Sequence, residues 1–449
     1  MENRIQRALR YTDNTRMVVI EDQALSQTDS IFQSCFGDKK AIIIADPTTF
    51  RLAGQTVNEV LKSNIQIQCE EPFLFDSAEI HAEMKHIETL KTVLARTDAI
   101  PVAVGSGTVN DLTKYASSLF QRPYMIVGTA ASMDGFTSFG ASIEYNFCKQ
   151  TFNCPAPTAV LIDMDVICDA PIEMNASGYA DLIAKIPAAA DWILADLIGT
   201  EPIDPVAWNL VQGSLKDWLN YPQGIVQRDR KSLRNLIEGL IMSGLAMQKA
   251  KSSRTASGAE HQFSHLWDNQ NHRYQGRTPS HGFKVGIGTI ATSALYEKVL
   301  KFDSSVFLSA IETLPRRFRS WEQIEQKIDE SFKETGLNST VRKQCQLKFV
   351  DQTEIKRRLQ LFYDNWDEIL LRLKNQLLDA QTIQSMICQS SAPSLPEEIG
   401  IDRPRLLTSY SQAQLLRCRY NVLDWMIDLG LWEDCVESLF KPGGFWFGS

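Results

Sequence analysis

Short apolar runs alternate with longer amphipathic segments through the first third of the chain. The runs that predict β-strands span residues 17–20, 41–46, 65–69, 100–105, 124–129 and 159–167. Between them lie stretches such as "AEIHAEMKHIETLKTVLART" (78–97), whose apolar positions recur at helical spacing. Strands separated by helices require crossover connections, which predicts a mostly parallel sheet covered by helices.

The pattern changes near residue 170. From there on, apolar positions recur mainly every three or four residues, which predicts helices. The sequence therefore predicts an α/β N-terminal domain, residues 1–168, followed by an all-α C-terminal domain, residues 169–449. The proline-rich stretch "QSSAPSLPEEIGIDRP" (389–404) is interpreted as a surface connection.

Composition narrows the class of protein. The chain has 44% hydrophobic residues and a net charge of -8, without a long basic run, which argues against a nucleic-acid or anionic-membrane surface. Its nine cysteines are scattered and form no CxxC pair, which is typical of reduced thiols. No signal-peptide core and no run of 18 apolar residues is present, so we expect a soluble cytoplasmic protein without a membrane span.

Two glycine-containing turns follow predicted strands. "VAVGSGTVNDLTKYAS" (102–117) places a turn between a strand and a helix, where backbone amides could bind a pyrophosphate. It is not a GxGxxG fingerprint, and a tight turn without a ligand is the alternative. "IVGTAASMDGFTSFG" (126–140) repeats the arrangement. Asp46 ends an earlier strand and could bind an adenosine ribose, favouring NAD over NADP, or could simply belong to an Asp-Pro turn.

Histidines are concentrated in "GAEHQFSHLWDNQNHRYQGRTPSHG" (258–282), which holds four of the six in the chain. His261 and His265 are four residues apart and would share one helix face, whereas His281 would begin a second helix. A histidine-rich loop is the alternative.

"SGYADLIAKIPAAADW" (177–192) is predicted to place Asp181 early in a helix. A carboxylate with two imidazoles is the ligand set of a Lewis-acid metal, although a solvated helix-start aspartate is the commoner case.

Five motifs occur in a characteristic order: "GSGTVND", "TAASMDG", "GYADLIAK", "GAEHQFSH" and "HGFKVGIGT". In this respect the chain resembles the sn-glycerol-1-phosphate dehydrogenase family, which is grouped with dehydroquinate synthases and iron-type alcohol and glycerol dehydrogenases. The likeness covers residues 40–295, with a further match at 419–432. It implies a dehydroquinate synthase-like fold, in which the α/β N-terminal domain is the nucleotide-binding domain and the all-α C-terminal domain is the metal-binding domain. It implies a metal-dependent, NAD- or NADP-linked interconversion of dihydroxyacetone phosphate and sn-glycerol 1-phosphate, and a small phosphorylated ketone or polyol as the substrate.

The resemblance also implies residue roles. Asp181, His261 and His281 would bind one divalent metal, which is zinc in many members and nickel or iron in others. Asp134, Asp181 and His265 would contact substrate, and His265 would also relay a proton. The positions implied to face the nucleotide are Asp46, Gly105, Ser106, Gly107, Thr108, Val109, Asp111, Thr129, Ser132 and Ser138. Lys185 and Arg254 are candidates for binding the substrate phosphate, and a homo-oligomer is expected. His272 has no counterpart and is interpreted as a loop residue.

One departure from the family pattern bears on the substrate. Gly-Glu usually follows the last metal histidine, but this chain has Phe283 and Lys284 there. Lys284 could help to bind an anionic substrate, and Phe283 could close the phosphate end of the site. The alternatives are another polyol dehydrogenase, a dehydroquinate synthase-like lyase, or a non-catalytic binding protein. The lyases usually carry glutamate where this chain has Asp181.

Overall fold

The structure is a computed structural model that describes residues 4–77, 79–145, 148–333 and 336–447 of the 449-residue chain. The chain divides into two compact units. The first comprises Met1–Leu182, Pro205–Thr255 and Gln389–Ala392. The second comprises Ile183–Asp204, Ala256–Cys388 and Pro393–Ser449.

All strands lie in the first unit. They are β1 (Met17–Glu21), β2 (Ala41–Ala45), β3 (Phe73–Leu74), β4 (Ile100–Gly105), β5 (Met125–Gly128), β6 (Ala141–Tyr145), β7 (Cys148–Phe152) and β8 (Ala159–Asp163), as far as the described residues go. Six of them form one parallel sheet in the order β1-β8-β5-β4-β2-β3. The remaining two, β6 and β7, form an antiparallel hairpin. The parallel sheet confirms the fold class expected for the N-terminal part.

The centre of the sheet, formed by β8, β5, β4 and β2, is buried on both faces. Along β2, Ala41, Ile43 and Ala45 belong to one hydrophobic cluster, whereas Ile42 and Ile44 belong to another. Successive side chains of a strand point to opposite faces, so each face has its own core. This explains why the sequence of β2 is an unbroken apolar run and does not alternate between apolar and polar residues.

The helices of the described chain are, in order, α1 (Arg4–Leu9), α2 (Thr28–Phe36), α3 (Pro47–Thr49), α4 (Gln55–Ser63), α5 (Met84–Leu94), α6 (Gly107–Ser118), α7 (Met164–Asp169), α8 (Ile172–Ile183), α9 (Lys185–Leu197), α10 (Pro205–Gln212), α11 (Leu215–Leu219), α12 (Gln223–Val226), α13 (Arg230–Ala250), α14 (Ala259–Asn269), α15 (His281–Val299), α16 (Ser305–Arg317), α17 (Trp321–Phe332), α18 (Asn338–Lys348), α19 (Gln352–Asp364), α20 (Trp366–Gln376), α21 (Ala380–Gln389), α22 (Arg403–Leu416), α23 (Val422–Leu429) and α24 (Trp432–Cys435). A π-helical turn spans Phe50–Gly54, and 3₁₀ turns span Ala24–Gln27, Asp134–Phe136, Ser253–Thr255, Pro396–Ile399 and Glu437–Phe440. The described part of the chain contains no helix that is both long and apolar enough to cross a membrane.

Two of the predicted strands differ from the structure. Residues 65–69 form a turn in which Ile65 is 98% exposed, and only Cys69 makes a β-bridge. The turn is closed by the amide of Ile67, which donates to the carbonyl oxygen of Asn64 at 3.0 Å. The strand predicted for 159–167 ends at Asp163, because its carboxylate caps α7 by accepting from the Asp165 amide at 2.9 Å.

Two predicted helices also differ from the structure. Asp181 lies near the end of α8 and not early in a helix, because the helix starts directly after Pro171. Proline commonly occupies the start of a helix, since its missing N–H is not needed there. The stretch predicted as helical over 78–97 is helical only from Met84 to Leu94, and Ala78 lies outside the described residues.

Aromatic side chains from the C-terminal region form a core of the second unit. Phe362 and Trp425 have ring centroids 4.5 Å apart, and Phe307 and Trp366 pack beside them. The region beyond residue 300, most of which lies outside the likeness to the family, thus contributes to a packed helical core. The eight cysteines whose side chains the structure describes are free thiols.

Candidate metal and nucleotide sites

The candidate nucleotide site lies at the carboxyl ends of neighbouring parallel strands. In the sheet register, Gly105 at the end of β4 pairs with Gly128 at the end of β5. The amide of Thr129 donates to the carbonyl oxygen of Gly105 at 3.1 Å, which holds the two following turns together. In open α/β sheets, ligands bind beyond the carboxyl ends of the strands.

The start of α6 provides backbone amides at this edge. Among the described residues, no side chain caps the N-terminus of α6, and the hydroxyl oxygen of Ser106 lies 2.5 Å from that of Ser132. Packing requires glycine at position 105 and leaves little room for a side chain at position 107. A Cβ on Gly105 would lie 2.6 Å from Cβ of Val109, and a Cβ on Gly107 would lie 3.0 Å from Cε of Met133. An uncapped helix start of this kind suits a pyrophosphate.

Asp46 and Asp111, both expected to face the nucleotide, are engaged within the protein. Asp46 caps α3, its Oδ1 accepting from the amides of Thr48 and Thr49 at 2.8 and 2.9 Å. The carboxylate of Asp111 accepts from the Ser142 amide at 3.0 Å. Burial raises the pKa of Asp111, while the nearby Lys114 ammonium lowers it. The Asp-Pro turn is therefore present, and a ribose contact by Asp46 stays a prediction.

The turn after β5 is fixed by α13. The hydroxyl of Ser243 donates to Oδ2 of Asp134 at 2.9 Å, and both side chains are buried. Ser138, a predicted nucleotide contact, donates its hydroxyl to the carbonyl oxygen of Gly135 at 3.1 Å. Ser243 was not predicted from the sequence, since a serine within an amphipathic helix gives no local signal.

Helix α8 brings Asp181 against the same turn. A Cβ on Gly178 would lie 1.9 Å from the carbonyl oxygen of Ala131, so this helix can approach the turn only with glycine there. One turn further along, Oδ2 of Asp181 accepts from the Asp134 amide at 3.0 Å. Asp181 is completely buried. A buried carboxylate is stable only when it is hydrogen-bonded and paired with positive charge.

Three histidines converge in the second unit. The ring centroids of His261 and His281 are 5.4 Å apart, and His265 lies 6.3 Å from each of them. His261 and His265 lie on one face of α14, as their spacing predicted, and His281 is the first residue of α15, which Ser280 caps. Helices α14 and α15 approach closely because Gly288 has no side chain, since a Cβ there would lie 2.3 Å from the carbonyl oxygen of Glu260.

Each of the two predicted histidine ligands has a partner at Nδ1. Nδ1 of His261 lies 2.8 Å from Oε1 of Glu260, and Nδ1 of His281 lies 3.3 Å from the hydroxyl oxygen of Ser264. A partner at Nδ1 orients an imidazole and directs Nε2 toward a metal. Neither Glu260 nor Ser264 was singled out from the sequence, although both occur in the "GAEHQFSH" motif.

Asp191 anchors the helices that carry the histidines. Its carboxylate accepts from the Ala259 amide at 2.7 Å, the Tyr296 hydroxyl at 2.6 Å and the Val422 amide at 2.9 Å. Those donors belong to α14, α15 and α23, whereas Asp191 lies on α9. One buried carboxylate thus joins four helices, a role that the sequence did not reveal.

The predicted ligand atoms lie close together. Asp181, His261 and His281 each offer one nitrogen or oxygen atom, and all of these atoms lie within 4.8 Å of one another. Two imidazoles and one carboxylate form the three-ligand set of catalytic divalent-metal sites, which keep a further position for water or substrate. The residues present therefore fit a divalent metal.

Comparison with known proteins identifies the family of the chain. The chain is 30% identical to a glycerol-1-phosphate dehydrogenase [NAD(P)+] from Geobacillus thermodenitrificans over 91% of each chain. The chain belongs to the glycerol-1-phosphate dehydrogenase family. A dehydrogenase of the same name from Halalkalibacterium halodurans is 37% identical over 57% of this chain and 64% of its own length. The N-terminal part, residues 19–171, also matches the family model of iron-containing alcohol dehydrogenases.

The solved structures agree on the fold. Glycerol dehydrogenase from Schizosaccharomyces pombe aligns with a TM-score of 0.59 at 17% identity, over 94% of this chain and 92% of that one. At such low identity the likeness concerns architecture alone. It agrees with the parallel sheet and helical remainder described above.

Three cationic side chains that the sequence singled out are buried. Lys284, which departs from the family pattern, forms a buried ion pair with Asp268 of α14. Asp268 therefore neutralises the charge that Lys284 introduces. Lys185 and Arg254, the candidates for binding phosphate, are at most 1% exposed, so neither is an ordinary solvated surface charge.

His272 lies in a loop, as interpreted from the sequence, and is buried there. Its Nε2 donates to the carbonyl oxygen of Ile399 at 2.6 Å, and Arg405 donates to its Nδ1 at 2.9 Å. Burial lowers the pKa of His272, and the Arg405 charge lowers it further, while the Ile399 hydrogen bond opposes both. The proline-rich stretch 389–404, predicted to be a surface connection, contains this buried Ile399.

Proposed function

We propose that this chain catalyses the reversible NAD(P)H-dependent reduction of dihydroxyacetone phosphate to sn-glycerol 1-phosphate, using a divalent metal. The observation that carries the proposal is the group of Asp181, His261 and His281, with ligand atoms within 4.8 Å, in a member of the glycerol-1-phosphate dehydrogenase family. The family membership supports an NAD(P)-dependent oxidoreductase. The group of side chains supports a metal, with zinc proposed because imidazole and carboxylate are common zinc ligands.

When bound, the metal would polarise the substrate carbonyl as a Lewis acid, and the reduced nicotinamide would supply the hydride. The protein's contribution is to fix the ligands. The Asp134 amide holds one oxygen of Asp181, and Nδ1 partners hold the rings of His261 and His281. Ligands held in this way need little reorganisation when the substrate binds.

His265 is proposed to act on the substrate side of the site. It shares a helix face with His261, and its ring centroid lies 6.3 Å from those of His261 and His281. An imidazole at this distance could donate a proton to the developing alcohol, directly or through water. Asp134 is proposed as a second substrate contact, with its carboxylate oriented by Ser243.

Lys185 and Arg254 remain the proposed contacts of the substrate phosphate. Both are buried, and a buried cation is stable only when paired with anionic or polar groups. The phosphate would join those partners when the substrate binds. A charge-assisted hydrogen bond contributes roughly 1.5–3 kcal/mol, so the loss of one contact should lower kcat/KM by about tenfold or more.

The proposal is tested by NADH and NADPH oxidation with metal-loaded protein. Dihydroxyacetone phosphate should be reduced at least tenfold more efficiently than dihydroxyacetone, and the reverse reaction should consume the 1-phosphate enantiomer of sn-glycerol phosphate. Preference for the unphosphorylated ketone would favour a polyol dehydrogenase. Exclusive oxidation of the 3-phosphate enantiomer would contradict the proposed stereochemistry.

A further inference from the structure

Glu260 is a buried acidic residue whose position is not explained by helix packing alone. Its side chain is fully buried in the first turn of α14. Its Oε1 accepts from the Gly258 amide at 2.6 Å and lies 2.8 Å from Nδ1 of His261. Its Oε2 is buried without a hydrogen-bond partner among the described residues.

Such a carboxylate is costly unless positive charge compensates it. Transferring an ionised carboxylate out of water costs several kcal/mol, and an unpaired oxygen adds to that cost. The N-terminus of α14 offsets part of it through the helix dipole. The carboxylate of Asp191 is also close to Glu260, because both approach the same point beside Gly258. A Cβ built on Gly258 would lie 2.5 Å from Oδ2 of Asp191 and 2.8 Å from Oε2 of Glu260. The carboxylates of Glu260 and Asp191 therefore lie near each other.

We propose that Glu260 is a positioning residue that fixes the tautomer of His261 and strengthens binding of a divalent cation. This inference rests on the proposed metal ligands. A carboxylate oxygen facing Nδ1 requires the proton on Nδ1, so Nδ1 donates to Glu260 and Nε2 presents its lone pair. The carboxylate also makes the imidazole more basic, and its charge is balanced when a cation binds at Nε2.

The second histidine provides an internal comparison. His281 has the neutral hydroxyl of Ser264 at Nδ1, at the longer distance of 3.3 Å. A hydroxyl can donate or accept, so it neither imposes one tautomer nor adds charge. The contribution of Glu260 should therefore be larger than that of Ser264, although each contacts one predicted ligand.

Zinc affinity of the apo-protein, measured by competition with a chromophoric chelator, tests this asymmetry. Glu260→Gln should weaken zinc binding by roughly 10–100-fold, the usual effect of losing such a partner, and Ser264→Ala by less than about fivefold. With cobalt as the probe, Glu260→Gln should also shift the visible absorption bands, which altered packing elsewhere would leave unchanged. Glu260→Gln affinity within threefold of wild type would overturn the inference.

Two further measurements separate this inference from the proposed function. His261→Ala should abolish tight zinc binding, and retention of zinc by that variant would contradict the ligand set instead of the role of Glu260. Imidazole ¹⁵N spectra of the wild-type apo-protein do not depend on whether the Glu260 variant folds. The resonances that His261→Ala removes should show the Nδ1–H tautomer, and an Nε2–H tautomer would refute the proposal.

Discussion

Asp191→Asn is the substitution whose cost can be worked out most directly from the structure. Oδ1 of Asp191 accepts from the Tyr296 hydroxyl and the Val422 amide, while Oδ2 accepts from the Ala259 amide. An asparagine has one oxygen and one NH₂ group at these positions. Whichever way it is oriented, one backbone N–H must face another donor.

The expected loss follows from that mismatch. One unsatisfied buried donor costs roughly 1–3 kcal/mol, and the remaining hydrogen bonds lose their charge assistance. We therefore expect Asp191→Asn to lower the free energy of unfolding by about 2–3 kcal/mol. Because the Ala259 amide opens α14 and Tyr296 belongs to α15, the variant should also bind metal more weakly.

Asp196→Asn is a matched control on the same helix. Its carboxylate accepts from the Ile203 amide at 2.9 Å, but Asp196 is partly exposed, so water can replace the lost hydrogen bond. The free energies of unfolding of the two variants are compared by urea denaturation, monitored by tryptophan fluorescence. Their zinc affinities are compared by chelator competition. Equal stability of Asp191→Asn and Asp196→Asn would refute the anchoring role.

Three further substitutions test other parts of the structure. Gly178→Ala should lower the stability measured by thermal unfolding by roughly 1–3 kcal/mol, because the alanine Cβ would lie 1.9 Å from the Ala131 carbonyl oxygen. Alanine at an unhindered helical glycine stabilises the helix, so a more stable variant would refute that contact. His265→Ala should retain metal but lose at least tenfold in kcat, whereas His261→Ala should lose metal; equal metal loss would show that the roles are reversed. Burial raises the pKa of Asp428 from 3.8 to about 6. Between these pH values the folded state keeps a proton on Asp428 that the unfolded state releases, so the contribution of Asp428 to stability falls as pH rises from about 4 to about 6. Asp428→Asn should therefore gain stability relative to wild type over that range in urea titrations, and a constant difference would contradict the assignment.

The sheet was largely predictable from the sequence because its four central strands are buried on both faces. Runs such as "AIIIA" and "IPVAVG" have no helical or alternating pattern, and both form parallel strands. Residues 65–69 show the limit of this reasoning, since an apolar pentamer can form a turn with Ile65 exposed. The β6–β7 hairpin was missed, although the period-two pattern of "ASIEY" was available.

The candidate metal ligands were predicted because the residue types and the motif order carried the information. Their supporting partners were not, because those contacts depend on tertiary packing. Asp191 lies 68 residues before Ala259 and 231 before Val422, so no local pattern joins them. Glu260 was not predicted either, although it directly precedes a predicted ligand and could have been considered from its position.

The metal position is the most direct test of the central claim. A crystal structure of the zinc-loaded protein, with anomalous data collected on either side of the zinc edge, would locate the ion independently of the protein atoms. We predict one strong peak about 2.0–2.2 Å from an oxygen of Asp181 and from Nε2 of His261 and His281. A peak elsewhere, or ligand atoms of these three residues more than about 6 Å apart around it, would contradict the proposed site.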